Sequence, residues 1–222
     1  MKWLLLFVAI AVTTATITTS KNDANKYKEG KQYTYHYEGL VKNGLPSTGR
    51  EYTGLKITCN PQLTFLTNEI IILKLRSPRL YEYNTTRHIH YKDSSLTNKF
   101  HEELLTPIKF YYIYGKVEKV FAPEHEPEWT LNIKKGILSL LNLEMLDIDE
   151  DLSTFTTYET DVVGECETLY DVTEGSTDLG VNFMNVTKVK DMNKCIKNPV
   201  SVSSTIKTKP CGSCEDKPEV EL

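Results

Sequence analysis

Residues 129–143 (WTLNIKKGILSLLNL) restrict the fold more than any other stretch of the chain. At helical spacing Trp129, Ile133, Ile137, Leu140 and Leu141 share one face, and Leu131, Leu138 and Leu143 widen the apolar surface. A helix apolar around most of its circumference must be enclosed nearly all round. Gly136 costs it roughly 1 kcal/mol in propensity, so tertiary contacts have to hold it.

The rest of the chain offers strands for that enclosure. Tyr33, Tyr35 and Tyr37 alternate with Thr34, His36 and Glu38, the period of a half-buried strand. Turn chemistry follows at Asn43-Gly44 and Pro46-Ser47-Thr48-Gly49. β-Branched and aromatic residues dominate further runs at 55–58, 70–75, 80–83, 108–114, 116–121, 154–163, 165–172 and 181–190, as a pleated surface favours. A short helix is predicted over 96–105, stopped before Pro107. Many antiparallel strands and one enclosed helix predict a mainly β fold: an antiparallel β-barrel closed around one central apolar helix. With 222 residues, 40% hydrophobic and 25% charged, one domain can bury such a core without staples.

The beginning of the chain reads as an address. Met1-Lys2 precedes the apolar run 4–12 (LLLFVAIAV) and a small, polar stretch, the layout of a secretory signal peptide over residues 1–20, with Ala15 suited to the cleavage position. That run spans only ~14 Å as a helix, against a ~30 Å hydrocarbon core, so no transmembrane segment is expected. One domain over 21–215 and an acidic tail over 216–222 complete the expected plan. A secreted, extracellular protein gives meaning to the sequons at Asn84 and Asn185, which are glycosylation acceptors, and permits disulfides. The formal net charge of −4 argues against nucleic acid as a partner.

Few residue patterns suggest chemistry. His88 and His90 share one face of an extended segment, but a zinc site needs three or four ligands and no third has useful spacing. Cys211-Gly212-Ser213-Cys214 lacks the strand–helix context of a redox motif and the second pair of a zinc site, so a local disulfide is favoured. Its small loop is worth ~2 kcal/mol, whereas pairing Cys166 with Cys195 would give ~3.5 kcal/mol. Cys59 is then the odd thiol, suited to a buried strand position. The acidic residues Asp147, Asp149, Glu150 and Asp151 read as a solvated loop. No nucleophile elbow, phosphate loop or metalloprotease pattern is found, so neither catalysis nor a cofactor is expected.

Five segments resemble the N-terminal domain of the large lipid transfer proteins, the family of vitellogenin, apolipoprotein B and the microsomal triglyceride transfer protein. They are YTYHYEG at 33–39, PIKFYYIYGKV at 107–117, NIKKGILSLLNL at 132–143, VGECETLY at 163–170 and VTKVKDMNKC at 186–195. The last of these is most similar to vitellogenin. The resemblance implies a β-barrel around a central helix, disulfides Cys166–Cys195 and Cys211–Cys214, and lipid transport as a storage or yolk-precursor protein. Family members continue into a helical domain and two further sheets that form the lipid cavity. A chain of 222 residues is therefore expected to be a truncated product, an incomplete gene model or a free-standing module, meeting lipid only through a full-length carrier.

The resemblance also implies a receptor-binding segment, which here reads Asn185-Val186-Thr187-Lys188-Val189-Lys190-Asp191-Met192. Lipoprotein-type receptors present calcium-ordered acidic residues, and Lys188, Lys190, Asp191 and Lys194 are the residues expected to meet them. On a strand Lys188 and Lys190 point to the same face. Residues 186–209 hold six lysines and one acid, while residues 124–171 hold 13 acids and two lysines, so the chain is polarised. Asn185 stands where the motif has His, which places a sequon on the segment itself. Two partners are expected: a lipoprotein-type receptor, or the remaining domains of a longer carrier. The rival expectation is a small secreted barrel binding a single lipid inside, which requires an interior that 129–143 does not fill.

Overall fold

The computed structural model describes residues 12–18, 27–44, 52–85, 87, 89–113, 115–141, 153–160, 165–176, 178, 180, 182–196, 207–212 and 214. In chain order the elements are Val12–Thr18 (β1), Gln32–Thr34 (β2), Tyr37–Gly44 (β3), Tyr52–Phe65 (β4), Ile70–Asn84 (β5) and Ile89–Asp93 (β6). Two short helices follow, Leu96–Lys99 (α1) and His101–Leu105 (α2), then Ile108–Ile113 (β7), Lys116–Ala122 (β8) and the helix Glu128–Leu141 (α3). Thr154–Thr160 (β9), Glu165–Ser176 (β10), Asn182–Ile196 (β11) and Lys207–Pro210 (β12) complete the fold.

The fold is mainly β, in two sheets. The larger runs β12-β8-β7-β5-β4-β2, with β3 also on β4 and β6 also on β5; the smaller runs β1-β11-β10-β9. All ladders are antiparallel except that of β12 on β8.

β4 and β5 form the spine of the larger sheet, and β4 alternates between buried and half-buried positions from Ile57 to Phe65. Cys59, Leu63 and Phe65 of β4 and Ile71, Leu73, Leu75 and Leu80 of β5 point to the core. Their register shifts between Thr58 and Asn60, opposite Arg76 and Arg79, and Ser77 takes φ 49° in the extra length of β5. That bulge merges into one strand what sequence patterning separates into two runs, 70–75 and 80–83.

Pro61 explains a second difference. A strand residue's N and O point to the same side, and the Pro61 carbonyl accepts from the Tyr35 amide at 2.9 Å. Proline has no N–H to return to Tyr35, so the ladder breaks there. β2 therefore stops at Thr34 and β3 starts at Tyr37, where alternation alone predicts one strand.

Helix α3 is buried along one face and, among the described residues, not nearly all round: Asn132 is exposed and a side chain added at Gly136 meets nothing within 4 Å. Ile137 and Leu138 enter the core with Phe65, Leu104, Phe110 and Val120, and Trp129, Leu131, Ile133 and Leu141 pack against it. The Tyr112 hydroxyl donates to the Leu141 carbonyl at 2.9 Å, capping the last turn to β7. Trp129 packs on Phe100 between α1 and α2, ring centroids 4.2 Å apart. Among the described residues no ladder joins the two sheets into a closed barrel. Alternation fixes which face of a strand is buried, and leaves open which edges pair.

Candidate functional site

Of the residues expected to bind a receptor, Lys188 and Lys190 lie on the inner face of the smaller sheet. In register, Tyr170 stands opposite Lys188, Thr168 opposite Lys190, and Cys166 opposite both Cys195 and Glu159. Strand alternation does place Lys188 and Lys190 on one face, and it is the covered one. Lys188 is 8% exposed and donates to Glu159 Oε1 at 2.9 Å. Its ammonium also lies over the Tyr170 ring, 4.9 Å from the centroid, and 3.5 Å from the Ser139 carbonyl of α3. Lys190 Nζ approaches Glu159 Oε2 at 4.0 Å. One buried carboxylate thus faces two ammonium groups, while Phe155 stacks on Tyr170 beneath them.

Beyond Lys190 the strand pair slips. Five steps along β11 match two along β10 between the pairs Thr168–Lys190 and Cys166–Cys195, and the Cys166–Cys195 disulfide fixes the far end of the slip. Lys194 emerges there with 56% of its side chain exposed and pairs with Glu167. The side chains of Asn185 and Asp191 lie outside the described residues. The structure therefore brings Lys188 and Lys190 together inward, and sends Lys194 outward.

The other expected sites are scattered. Cys211 and Cys214 are bonded next to the end of β12, and Cys59 is a buried free thiol on β4. Asn84 ends β5, its Oδ1 accepting from the Arg87 amide at 3.0 Å. His90 is exposed with its ring against Tyr83, and His88 lies outside the described residues. Among the described residues no group of three His, Cys, Asp or Glu side chains is placed to hold a metal ion. A hollow of about 100 Å³ opens among Ile70, Lys109, Tyr111, Phe121 and Cys211, too small for the several hundred Å³ of ordinary ligand pockets.

Sequence reasoning missed a buried ion pair. Lys134 of α3 has no exposed side-chain area and pairs with Glu126 just before the helix. Its ammonium also donates to the carbonyls of Glu103 at 2.9 Å and Thr106 at 2.6 Å, pinning the end of α2. Thr130 Oγ1 donates to the same carboxylate oxygen at 3.0 Å, while Glu126 Oε2 has no partner within the protein. Burial holds the Lys134 ammonium below its ordinary range, against the opposing pull of Glu126. The signal was a lysine amid the apolar residues of α3.

Comparison with known proteins follows the same lines. Residues 27–222 match the family model described as the vitellogenin N-terminal domain. The chain is 34% identical to vitellogenin-1 of Fundulus heteroclitus over 214 residues, covering 94% of this chain and 12% of that protein. It is 34% identical to vitellogenin of Acipenser transmontanus over 171 residues, covering 76% of this chain and 10% of that protein. A solved structure titled for lipid–protein interactions in lipovitellin superposes with a TM-score of 0.61 at 29% identity, over 77% of this chain and 17% of that one. The chain thus spans only about a tenth of the length of these curated relatives.

Proposed function

The chain belongs to the vitellogenin N-terminal domain family, and from that premise we propose that it is the secreted N-terminal module of a vitellogenin-type lipid carrier or yolk precursor. Its own task is protein recognition, of a lipoprotein-type receptor or of the rest of its carrier, and lipid is met only through the full-length carrier. The match over residues 27–222 carries this reading. Removal of residues 1–20 on secretion, glycans at Asn84 and Asn185, and closure of the two sheets around α3 into one barrel belong to the same proposal. N-terminal sequencing of secreted protein tests the first; cleavage would withdraw β1 and free the edge of β11 that it covers.

The receptor segment then divides its labour. Lys194, on the slip that Cys166–Cys195 closes, meets the acidic receptor face, while Lys188 and Lys190 face Glu159 inside and Lys188 also holds β11 against α3. Alanine at Lys194 should weaken binding to a lipoprotein-type receptor ectodomain and flatten its dependence on salt, with the melting temperature little changed. Lys188→Ala should lower the melting temperature instead. Unchanged affinity in Lys194→Ala rejects the receptor site. A glycan at Asn185 should lower that affinity, and equal affinity with occupancy established by mass spectrometry rejects the obstruction.

A further inference from the structure

The bulge in β5 does more than lengthen the strand. In a regular strand, residues three apart point to opposite faces. Here Arg79 stands opposite Thr58 and Arg76 opposite Asn60, and those two β4 residues share a face, so both arginines come to one side. Cys59 and Leu63 of β4 enter the core, which makes the shared side the outer one, and both arginines are exposed. Ser77 lies in the extra length at φ 49°, a left-handed backbone uncommon outside glycine. Strain of this kind persists where the surroundings over-determine it, and it clusters at functional positions.

The bulge thereby continues a row of cations. Lys74 takes the next outward position of β5, opposite Gln62, and Lys109 of β7 stands opposite Ile72 on the same face. Outward neighbours along a strand are ~6.7 Å apart, so the positive charges follow one another at short, regular steps. Arg76 Nε donates to Gln62 Oε1 at 2.7 Å, which orients its guanidinium. Neither 58–62 (TCNPQ) nor 74–79 (KLRSPR) contains an acid. In register, the acids nearest to the arginines on this face are Glu38 of β3, taken up by Lys56 at 2.7 Å, and Asp93 of β6, opposite Tyr81.

We propose that the strip formed by Arg79, Arg76, Lys74 and Lys109 docks a sulfated polysaccharide. Guanidinium groups meet oxyanions through paired N–H donors, and a row of cations along an extended strand suits a ligand that carries its charges along a linear chain. Charge calls for an anion, and the surroundings select its class. Thr58, Asn60 and Gln62 line the strip with hydrogen-bonding side chains and offer none of the apolar anchors on which a protein interface centres. Sugar hydroxyls need only such donors and acceptors. The chain as a whole carries a net charge of −4, so the strip is a local feature and not the by-product of a basic composition. The inference rests on secretion, which brings the chain to extracellular polysaccharides, and not on the receptor reading.

Heparin-affinity chromatography of the full secreted chain tests the proposal. Wild-type protein should be retained at low salt, and Arg76→Gln/Arg79→Gln should bind several-fold more weakly and elute earlier in a salt gradient, with a shallower dependence of affinity on salt. Arg79→Glu, at a side chain with no ion pair among the described residues, should show the same loss with its melting temperature kept. Lys194→Ala should elute with wild type, and both arginine variants should keep receptor binding, which separates this inference from the receptor reading. It is overturned if wild-type protein passes through the column unretained, if both arginine variants elute with wild type, or if a polyglutamate peptide of equal charge displaces the protein as well as free heparin does.

Discussion

Lys134 carries its ammonium to a place where no water reaches it, held by one carboxylate and two backbone carbonyls. Removing one partner of such a pair leaves the other charge uncompensated, at a cost of roughly 3–5 kcal/mol, whereas replacing both by apolar groups is often close to neutral. Lys134→Met should therefore lower the urea midpoint sharply, and Lys134→Met/Glu126→Leu should recover most of the loss. Equal loss in both would mean that the carbonyl contacts to α2 matter more than the ion pair.

A second residue-scale effect concerns alkaline pH. Burial pushes the Cys59 thiol from 9.0 up to about 12, and the Tyr37 hydroxyl beside it from 10.0 up to about 12; Tyr35 and Tyr112 are raised for the same reason. The folded chain keeps protons that the unfolded chain sheds. Stability from these groups is complete below pH 9 and is lost as pH rises toward 12. Denaturation midpoints should be flat from pH 7 to about 8.5 and fall beyond pH 9, and Cys59→Val should soften the first part of that fall. A slope unchanged by Cys59→Val would assign the effect to the tyrosines alone.

At the scale of elements, two glycines have opposite meanings. Nothing lies within 4 Å of a side chain added at Gly136 in α3, so Gly136→Ala should stabilise by about 1 kcal/mol, read as a higher melting temperature. Gly54→Ala would drive a methyl into the Val41 carbonyl and should destabilise through the β3–β4 ladder. A neutral Gly54→Ala would show that β3 can shift away from β4. This is also where legibility in the sequence divides. The buried face of helix α3 was readable from the helical spacing of its apolar residues, and the β4 core because alternation survives along it. The break at Tyr35 was not, since it depends on which residue Pro61 happens to face. The direction of Lys188 was not either: alternation pairs it with Lys190, but only the enclosure of Glu159 and Ser139 says that their shared face is inward.

At the scale of the whole molecule, the two sheets are held by different means. The main core joins β4, β5, β7 and β8 to α2 and α3, while the buried Cys166, Tyr170 and Val186 of the smaller sheet lie outside that cluster. The smaller sheet relies instead on the Phe155–Tyr170 stack, the Lys188–Glu159 pair and the Cys166–Cys195 bond. A bond closing a loop of that length is worth ~3.5 kcal/mol, a large share of what a small sheet commands. Regions with fewer buried apolar contacts open at lower free energy than the core. Amide exchange should therefore be faster through β9, β10 and β11 than through β4 and β5. Cys166→Ser/Cys195→Ser should accelerate it in the smaller sheet and leave β4 and β5 protected. Equal acceleration in both sheets would mean that they unfold as one cooperative unit, and that Lys188 on the Ser139 carbonyl couples them more tightly than its 3.5 Å contact suggests.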